Sequence, residues 1–225
     1  MKKTLRKVPH RYSEFRLSRG TRSSVVFAIV LFFGSILANY CAGLYAASHA
    51  SNSVTDIVLS NTPVFNVDGL LVYGAVALLL FVITLILTHP KRIPFTMQSL
   101  TIFLFTRAGF ISLTHLRTFP IHAQSTFTDP ISVFLYNAFL YGDDLFFSGH
   151  TGVPFLMALL FWRDTTIRYI FLGWTVVFGT AVLLGHVHYT IDVASAFFIT
   201  YGVYEISKYF FPKDYKLFNS VKVEE

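Results

Sequence analysis

From residue 24 onward the chain is a succession of apolar runs, each close to the ~20 residues that cross a bilayer, separated by short polar stretches. Ser24–Ala47 and Gly69–Thr88 are the first two, with a polar loop free of Lys and Arg between them. Phe95–Leu116 is the third, interrupted by Arg107, and the turn before it, His89-Pro90-Lys91-Arg92-Ile93-Pro94, carries prolines expected to stop the helices on both sides. A longer connection over 118–144 holds Pro120, Pro130 and an aromatic stretch, Ile131–Tyr141, expected along the membrane interface. Leu145–Trp162, Tyr169–Leu184 and Ile191–Phe210 complete the set. The pattern predicts an all-α integral membrane six-helix bundle, with a basic tail over 1–23, a membrane domain over 24–211 and a second tail over 212–225.

Composition agrees with lipid as the solvent. The 225 residues are 54% hydrophobic and 13% charged, with 25 Phe and 12 Tyr, about half the charge of an ordinary soluble domain. The net charge of +6 is unevenly placed, since eight of the 18 Lys and Arg fall in the first 22 residues. Beside an apolar span, such a tail reads as a topology signal and an anionic-lipid contact rather than a nucleic-acid arm. The first tail, the segment from Lys208 onward and the turns at 89–94 and 163–168 together hold 16 of the 18 basic residues. The positive-inside rule then puts both termini in the cytoplasm. No cleavable leader is expected, because the first apolar run is longer than the ~7–15 residues of a signal h-region. The single Cys41, inside that run, cannot form an internal disulfide and is expected to serve packing.

The chemistry concentrates in two stretches, Phe147-Ser148-Gly149-His150-Thr151 and His188-Tyr189-Thr190-Ile191-Asp192. If the second is helical, His188 and Asp192 lie one turn apart on one face. A carboxylate there fixes the imidazole tautomer and leaves the other ring nitrogen for a substrate. His150 opens the fourth span, Asp192 the sixth, and Arg107 lies late in the third. All three therefore fall toward the non-cytoplasmic side. Ionisable groups in spans are costly, about 2.5–3.5 kcal/mol each on insertion scales, and so face a cavity or a partner. Two His, an Asp and an Arg at one depth fit phosphoryl transfer. Arg107 would hold phosphate oxygens, and Ser148 and Gly149 would add a hydroxyl and backbone N–H groups. His188 would attack phosphorus and His150 would manage the proton. Asp144 and Tyr189 are candidate supporting residues.

Each of these residues also has an ordinary reading. Arg117 reads as a snorkelling interface charge, Glu205 and Lys208 as a structural pair one turn apart, and Asp143 and Asp144 as caps for the fourth helix. A zinc or iron site built from His186, His188, His150 and Asp192 is the chemical rival. It is disfavoured because His186 and His188 would point ~200° apart on a helix. A channel would need polar residues along the centre of several spans, and those are lacking. A non-enzymatic lipid-binding protein is the further class.

The segments Asp144-Leu145-Phe146-Phe147-Ser148-Gly149-His150-Thr151 and His186-Val187-His188-Tyr189-Thr190-Ile191-Asp192-Val193-Ala194-Ser195-Ala196 resemble the sphingomyelin synthase-related branch of the type-2 phosphatidic acid phosphatase superfamily. Arg107 with Thr118-Phe119-Pro120 is a weaker echo, and the resemblance covers roughly residues 100–205. It implies His188 as nucleophile, Asp192 as its orienting carboxylate and His150 as acid and base, with no metal or other cofactor. It also implies a phospholipid donor and a lipid alcohol acceptor, ceramide or diacylglycerol, met at a non-cytoplasmic membrane face. Ala181 and Val182 stand where the superfamily's phosphatases carry Ser-Arg, which favours transfer over hydrolysis. Asp143 stands where the synthases usually have Gly. Headgroup, acceptor and oligomeric state are left open.

Overall fold

The computed structural model describes residue 12 and residues 19–123, 126–139 and 145–221. Among the described residues all regular structure is helical, in eight α-helices and two short 3-10 turns, Leu59–Asn61 and Pro90–Arg92. They are α1 (Arg19–His49), α2 (Asp68–Thr88), α3 (Ile93–Thr114), α4 (Pro130–Phe139), α5 (Gly149–Leu160), α6 (Thr165–Leu184), α7 (Thr190–Phe210) and α8 (Pro212–Asn219). Three contain stretches long and apolar enough to cross a membrane: Arg22–Ser48 within α1, Asp68–Thr88 and Thr165–Leu184. Helices α3 and α7 match them in length, at 22 and 21 residues, but turn polar side chains inward. Thr96, Gln98, Ser99, Thr101 and Arg107 are buried on α3, and Asp192, Thr200 and Ser207 on α7.

The pairing of helices follows from these faces. Helix α1 packs along α3, α5 lies between α6 and α7, and α3 closes against α7. A core of Leu71, Phe95, Phe103, Phe147, Leu156, Met157, Phe171 and Phe178 runs through the middle. Outward, the helices expose large apolar side chains such as Phe27, Val30, Phe33, Leu80, Val176 and Phe198, a belt far larger than water-soluble surfaces carry. These apolar helices fit a membrane protein.

Several boundaries differ from the reading of the sequence. The fourth apolar run becomes only the 12-residue α5, about 18 Å long. The chain enters it through Phe146 and Phe147, with φ of 134° and 33°, which no helix accommodates. Ser148 caps α5 by accepting a hydrogen bond from the Thr151 amide at 3.3 Å. Asp143 and Asp144, expected in that role, lie outside the described residues. Pro94 does not stop a helix. It sits in the first turn of α3, where its missing N–H costs nothing. Cys41 is exposed rather than packed.

The aromatic stretch before the fourth run forms α4, which packs on α2 and leaves Ile131 and Phe134 exposed. Within the expected second tail, Pro212–Asn219 forms α8, whose Phe218 is buried beneath Phe95 and Phe161. Glu205 and Lys208 form the expected pair, at 2.6 Å.

Candidate functional site

Helix α7 begins at Thr190, with Tyr189 as its N-cap, so His188 stands just outside the helix. It still reaches Asp192. The carboxylate Oδ2 lies 3.3 Å from His188 Nδ1 and accepts the Tyr189 amide at 3.0 Å. A carboxylate can only accept, so Nδ1 carries the proton and Nε2 presents its lone pair. Asp192 is 0% exposed and His188 6%, so the pair is shielded from water.

Asp192 also ties the two motifs together. Its backbone carbonyl accepts the Ser148 amide at 3.1 Å, fixing the start of α5 against the start of α7. His150, in the first turn of α5, packs its ring against Phe178 of α6 at a centroid distance of 5.6 Å. Its Nε2 is buried with no hydrogen-bond partner among the described residues. Both His188 and Arg107 lie close enough to act on His150 electrostatically. Arg107 is 8% exposed and reaches toward Asn39 of α1, with Nη1 3.4 Å from Oδ1. Its guanidinium lies across Gly149, where a Cβ would stand 3.4 Å from Nε. The amino end of α5 and the arginine are thus neighbours, and the Ser148–Asp192 bond sets the start of α7 beside them. Ser148 spends its amide on Asp192 and its oxygen on the helix cap, which leaves its hydroxyl proton to donate. Asp144 lies outside the described residues.

The fit of α5 among its neighbours depends on one position. A Cβ on Gly152 would meet Phe103 of α3 at 2.7 Å and Thr200 Oγ1 of α7 at 2.9 Å. Only glycine lets the three helices that carry Arg107, His150 and Asp192 approach so closely.

Two residues take roles that the sequence reading did not assign. Asp56, in the loop between α1 and α2, accepts the Thr190 amide at 2.7 Å and the Thr190 hydroxyl at 2.8 Å. It also holds its own turn, accepting the Val58 and Leu59 amides at 2.9 and 3.1 Å. Burial works to raise its pKa, but these bonds, from Thr190, Leu59 and Val58, hold the carboxyl below its ordinary range. Asp56 thereby caps the helix that carries Asp192. His186 is turned away from the pair. With φ of 52°, it directs Nδ1 to the Ile121 carbonyl at 2.7 Å and Nε2 to the Thr62 hydroxyl at 3.3 Å. It clamps three loops together and takes no part in the His188–Asp192 contact. Tyr189 is likewise a brace, its hydroxyl donating to the Arg117 carbonyl at 2.9 Å and accepting the Val54 amide at 3.2 Å. Among the described residues no group of three or more His, Cys, Asp or Glu is placed to hold a metal ion.

No curated protein and no solved structure matches the chain. Residues 142–209, which contain His150, His188 and Asp192, match the family model described as PAP2 superfamily C-terminal. That match supports the type-2 phosphatidic acid phosphatase superfamily, and with it a lipid phosphatase or phosphotransferase kind of function.

Proposed function

We propose that the protein is a lipid phospho-headgroup transferase, similar to the sphingomyelin synthase-related enzymes, working through a phosphohistidine. The observation that carries this reading is the Asp192 junction: one residue orients His188 through its side chain and anchors the His150 helix through its backbone. In the first half-reaction, His188 Nε2 attacks the phosphorus of a phospholipid and the bond from phosphorus to the glycerol oxygen breaks. A proton on His150 passes to that oxygen, releasing diacylglycerol. In the second half, the hydroxyl of ceramide or a similar lipid alcohol gives its proton to His150 and attacks phosphorus. The P–N bond breaks and both histidines return to their starting states. The buried His150 Nε2 has in the departing and arriving oxygens the partner that a buried ring nitrogen needs. Arg107 and the α5 amino terminus hold the non-bridging oxygens, with Ser148 and Gly149 shaping that end. Asp56, Tyr189 and His186 are positioning residues.

In this reading six helices (α1, α2, α3, α5, α6 and α7) span the bilayer. Both termini are cytoplasmic and the site opens to the non-cytoplasmic face, consistent with the loop charges. The short α5 reaches the membrane surface through the extended entry at Phe146 and Phe147. Membranes incubated with labelled phosphatidylcholine and ceramide test the assignment. A labelled phosphosphingolipid supports transfer. Free phosphocholine or inorganic phosphate as the sole product would make water the acceptor and the protein a lipid phosphate hydrolase.

A further inference from the structure

Three rings meet where α1 and α3 end side by side. His49 closes α1, Tyr45 lies one turn before it, and His115 follows the last residue of α3 in a left-handed conformation, with φ of 47°. The ring centres of Tyr45 and His49 stand 4.3 Å apart, those of Tyr45 and His115 5.3 Å, and those of the two histidines 5.7 Å. The loop leaving α1 is tied across the same point. The Ser51 amide and hydroxyl both donate to the His115 carbonyl, at 2.9 and 3.0 Å.

The hydrogen bonds fix which nitrogen of His49 is available. Nδ1 lies 2.9 Å from the Tyr45 carbonyl and 2.9 Å from Ser48 Oγ. The Ser48 hydroxyl donates its one proton to that same carbonyl, at 2.8 Å. Both neighbours of Nδ1 therefore accept, so Nδ1 carries the ring proton and Nε2 keeps its lone pair. An imidazole whose Nδ1–H is held by a backbone carbonyl is set up to ligate a metal through Nε2. His115 brings the second nitrogen. Its Nε2 is buried with no hydrogen-bond partner among the described residues, and a buried ring nitrogen needs one. Aromatic packing alone accounts for the Tyr45 contacts but leaves that nitrogen unsatisfied.

The spacing of the two imidazoles fits one shared ion. An imidazole nitrogen binds zinc at ~2.0–2.1 Å, and the ring centre lies ~1.1 Å behind it. Two rings on one ion then have centres ~4.5 Å apart at a right angle and ~6.3 Å apart in line. The observed 5.7 Å falls between these limits, near an angle of ~130°.

We propose that His49 and His115 bind a late first-row divalent ion, Cu²⁺ or Zn²⁺, through their Nε2 atoms. Two protein ligands are half the set of a structural zinc site, so water completes the coordination and the ion exchanges. Copper binds more tightly than zinc, in the usual order for nitrogen ligands. The ion clamps the ends of α1 and α3, the helices on which Asn39 and Arg107 meet at 3.4 Å. The site stands on residues outside the family match and is independent of the phospho-transfer reading.

The full chain, purified in detergent without a polyhistidine tag, is titrated with copper(II) and zinc chlorides by calorimetry, and with copper by electron paramagnetic resonance. One copper ion per chain should bind through two imidazole nitrogens. His49→Ala and His115→Ala should each weaken that ion at least about tenfold, the scale on which even the groups behind metal ligands count. The spectrum should then lose one coupled nitrogen or both. His115→Asn, whose side chain tolerates the left-handed backbone, carries the test if His115→Ala does not fold. His122→Ala, at an exposed histidine outside the cluster, should bind as wild type does. Copper binding that persists unchanged in folded His49 and His115 variants overturns the site. So does a wild-type protein that binds no copper, or binds it through fewer than two imidazoles. No turnover is measured, so each of these outcomes leaves the phospho-transfer reading where it stands.

Discussion

Ser148 and Asp192 are joined through their backbones, the Ser148 amide donating to the Asp192 carbonyl at 3.1 Å. The contact links the entry of α5 to the first turn of α7, so the two histidine motifs move as one body. Side-chain changes at either residue leave this bond in place, and catalytic effects there can be separated from loss of fold.

Asp192→Asn preserves volume and offers His188 an amide instead of a carboxylate. The imidazole loses its fixed tautomer and the negative charge that balances the ring once Nε2 is bonded to phosphorus. Transfer should fall by about three to four orders of magnitude, the scale seen when a catalytic histidine loses its carboxylate elsewhere. Headgroup-transfer kinetics check this, alongside a melting curve that should stay near wild type.

Asp56→Ala removes the cap from α7 and should cost about 1 kcal/mol of stability, in the range of other lost caps. The pH dependence has a definite sign. The Asp56 carboxyl is held below its ordinary pKa, so its contribution is fully present above ~4 and is lost as pH falls through the lower folded value. Melting temperatures of the variant and wild type should differ by a constant amount at neutral pH and converge in acid. Activity should fall too, through displaced Asp192, with kcat affected more than KM.

Phe147 has φ of 33° and is fully buried against Phe103 and Phe110, at ring distances of 5.3 and 6.2 Å. The left-handed backbone costs about 1–3 kcal/mol, offset by burial of the ring. Both Phe147→Ala and Phe147→Gly lose about 3–5 kcal/mol of packing, but glycine relieves the strain. The glycine variant should be the more stable of the two, reversing the usual order. Thermal unfolding in detergent measures the pair.

Gly152→Ala places a methyl within 2.7 Å of Phe103 and 2.9 Å of Thr200. Phe103 is fully buried against Phe147 and cannot step aside. Overpacking of this kind costs about 1–3 kcal/mol. By spreading α5 from α3 and α7 it should also lower activity more than an equally destabilising change on the outer face of α1. Matched stability and turnover measurements on the two variants decide this.

The apolar pattern located α1, α2 and α6, the three helices long and apolar enough to cross a membrane, because a membrane-facing surface must be apolar along its whole length. Helix ends were less legible. The start of α5 is set by the positive-φ backbone of Phe146 and Phe147, the second of them fully buried, a tertiary demand with no local signature. The site was legible where its parts are close in sequence: His188 and Asp192 meet although the helix begins only after His188. Asp56 was not. Its own turn, Asp56 to Leu59, could have been read as a local cap, but its bond to Thr190 crosses 134 positions. His186 and His188 are two residues apart, a spacing that suits a strand better than a helix and makes them rival metal ligands. The left-handed turn at His186 sends its ring into the loops instead.

The central claim is a covalent bond between phosphorus and His188 Nε2. Its most direct test is rapid quenching of the full chain with headgroup-labelled phospholipid, in alkali without an acceptor alcohol, followed by peptide mass spectrometry. The account predicts an acid-labile phospho-headgroup adduct on His188, absent from His188→Ala and formed far more slowly in His150→Ala, where the departing glycerol oxygen has lost its proton donor. An adduct on another residue, or full turnover by the His188→Ala protein, would contradict it.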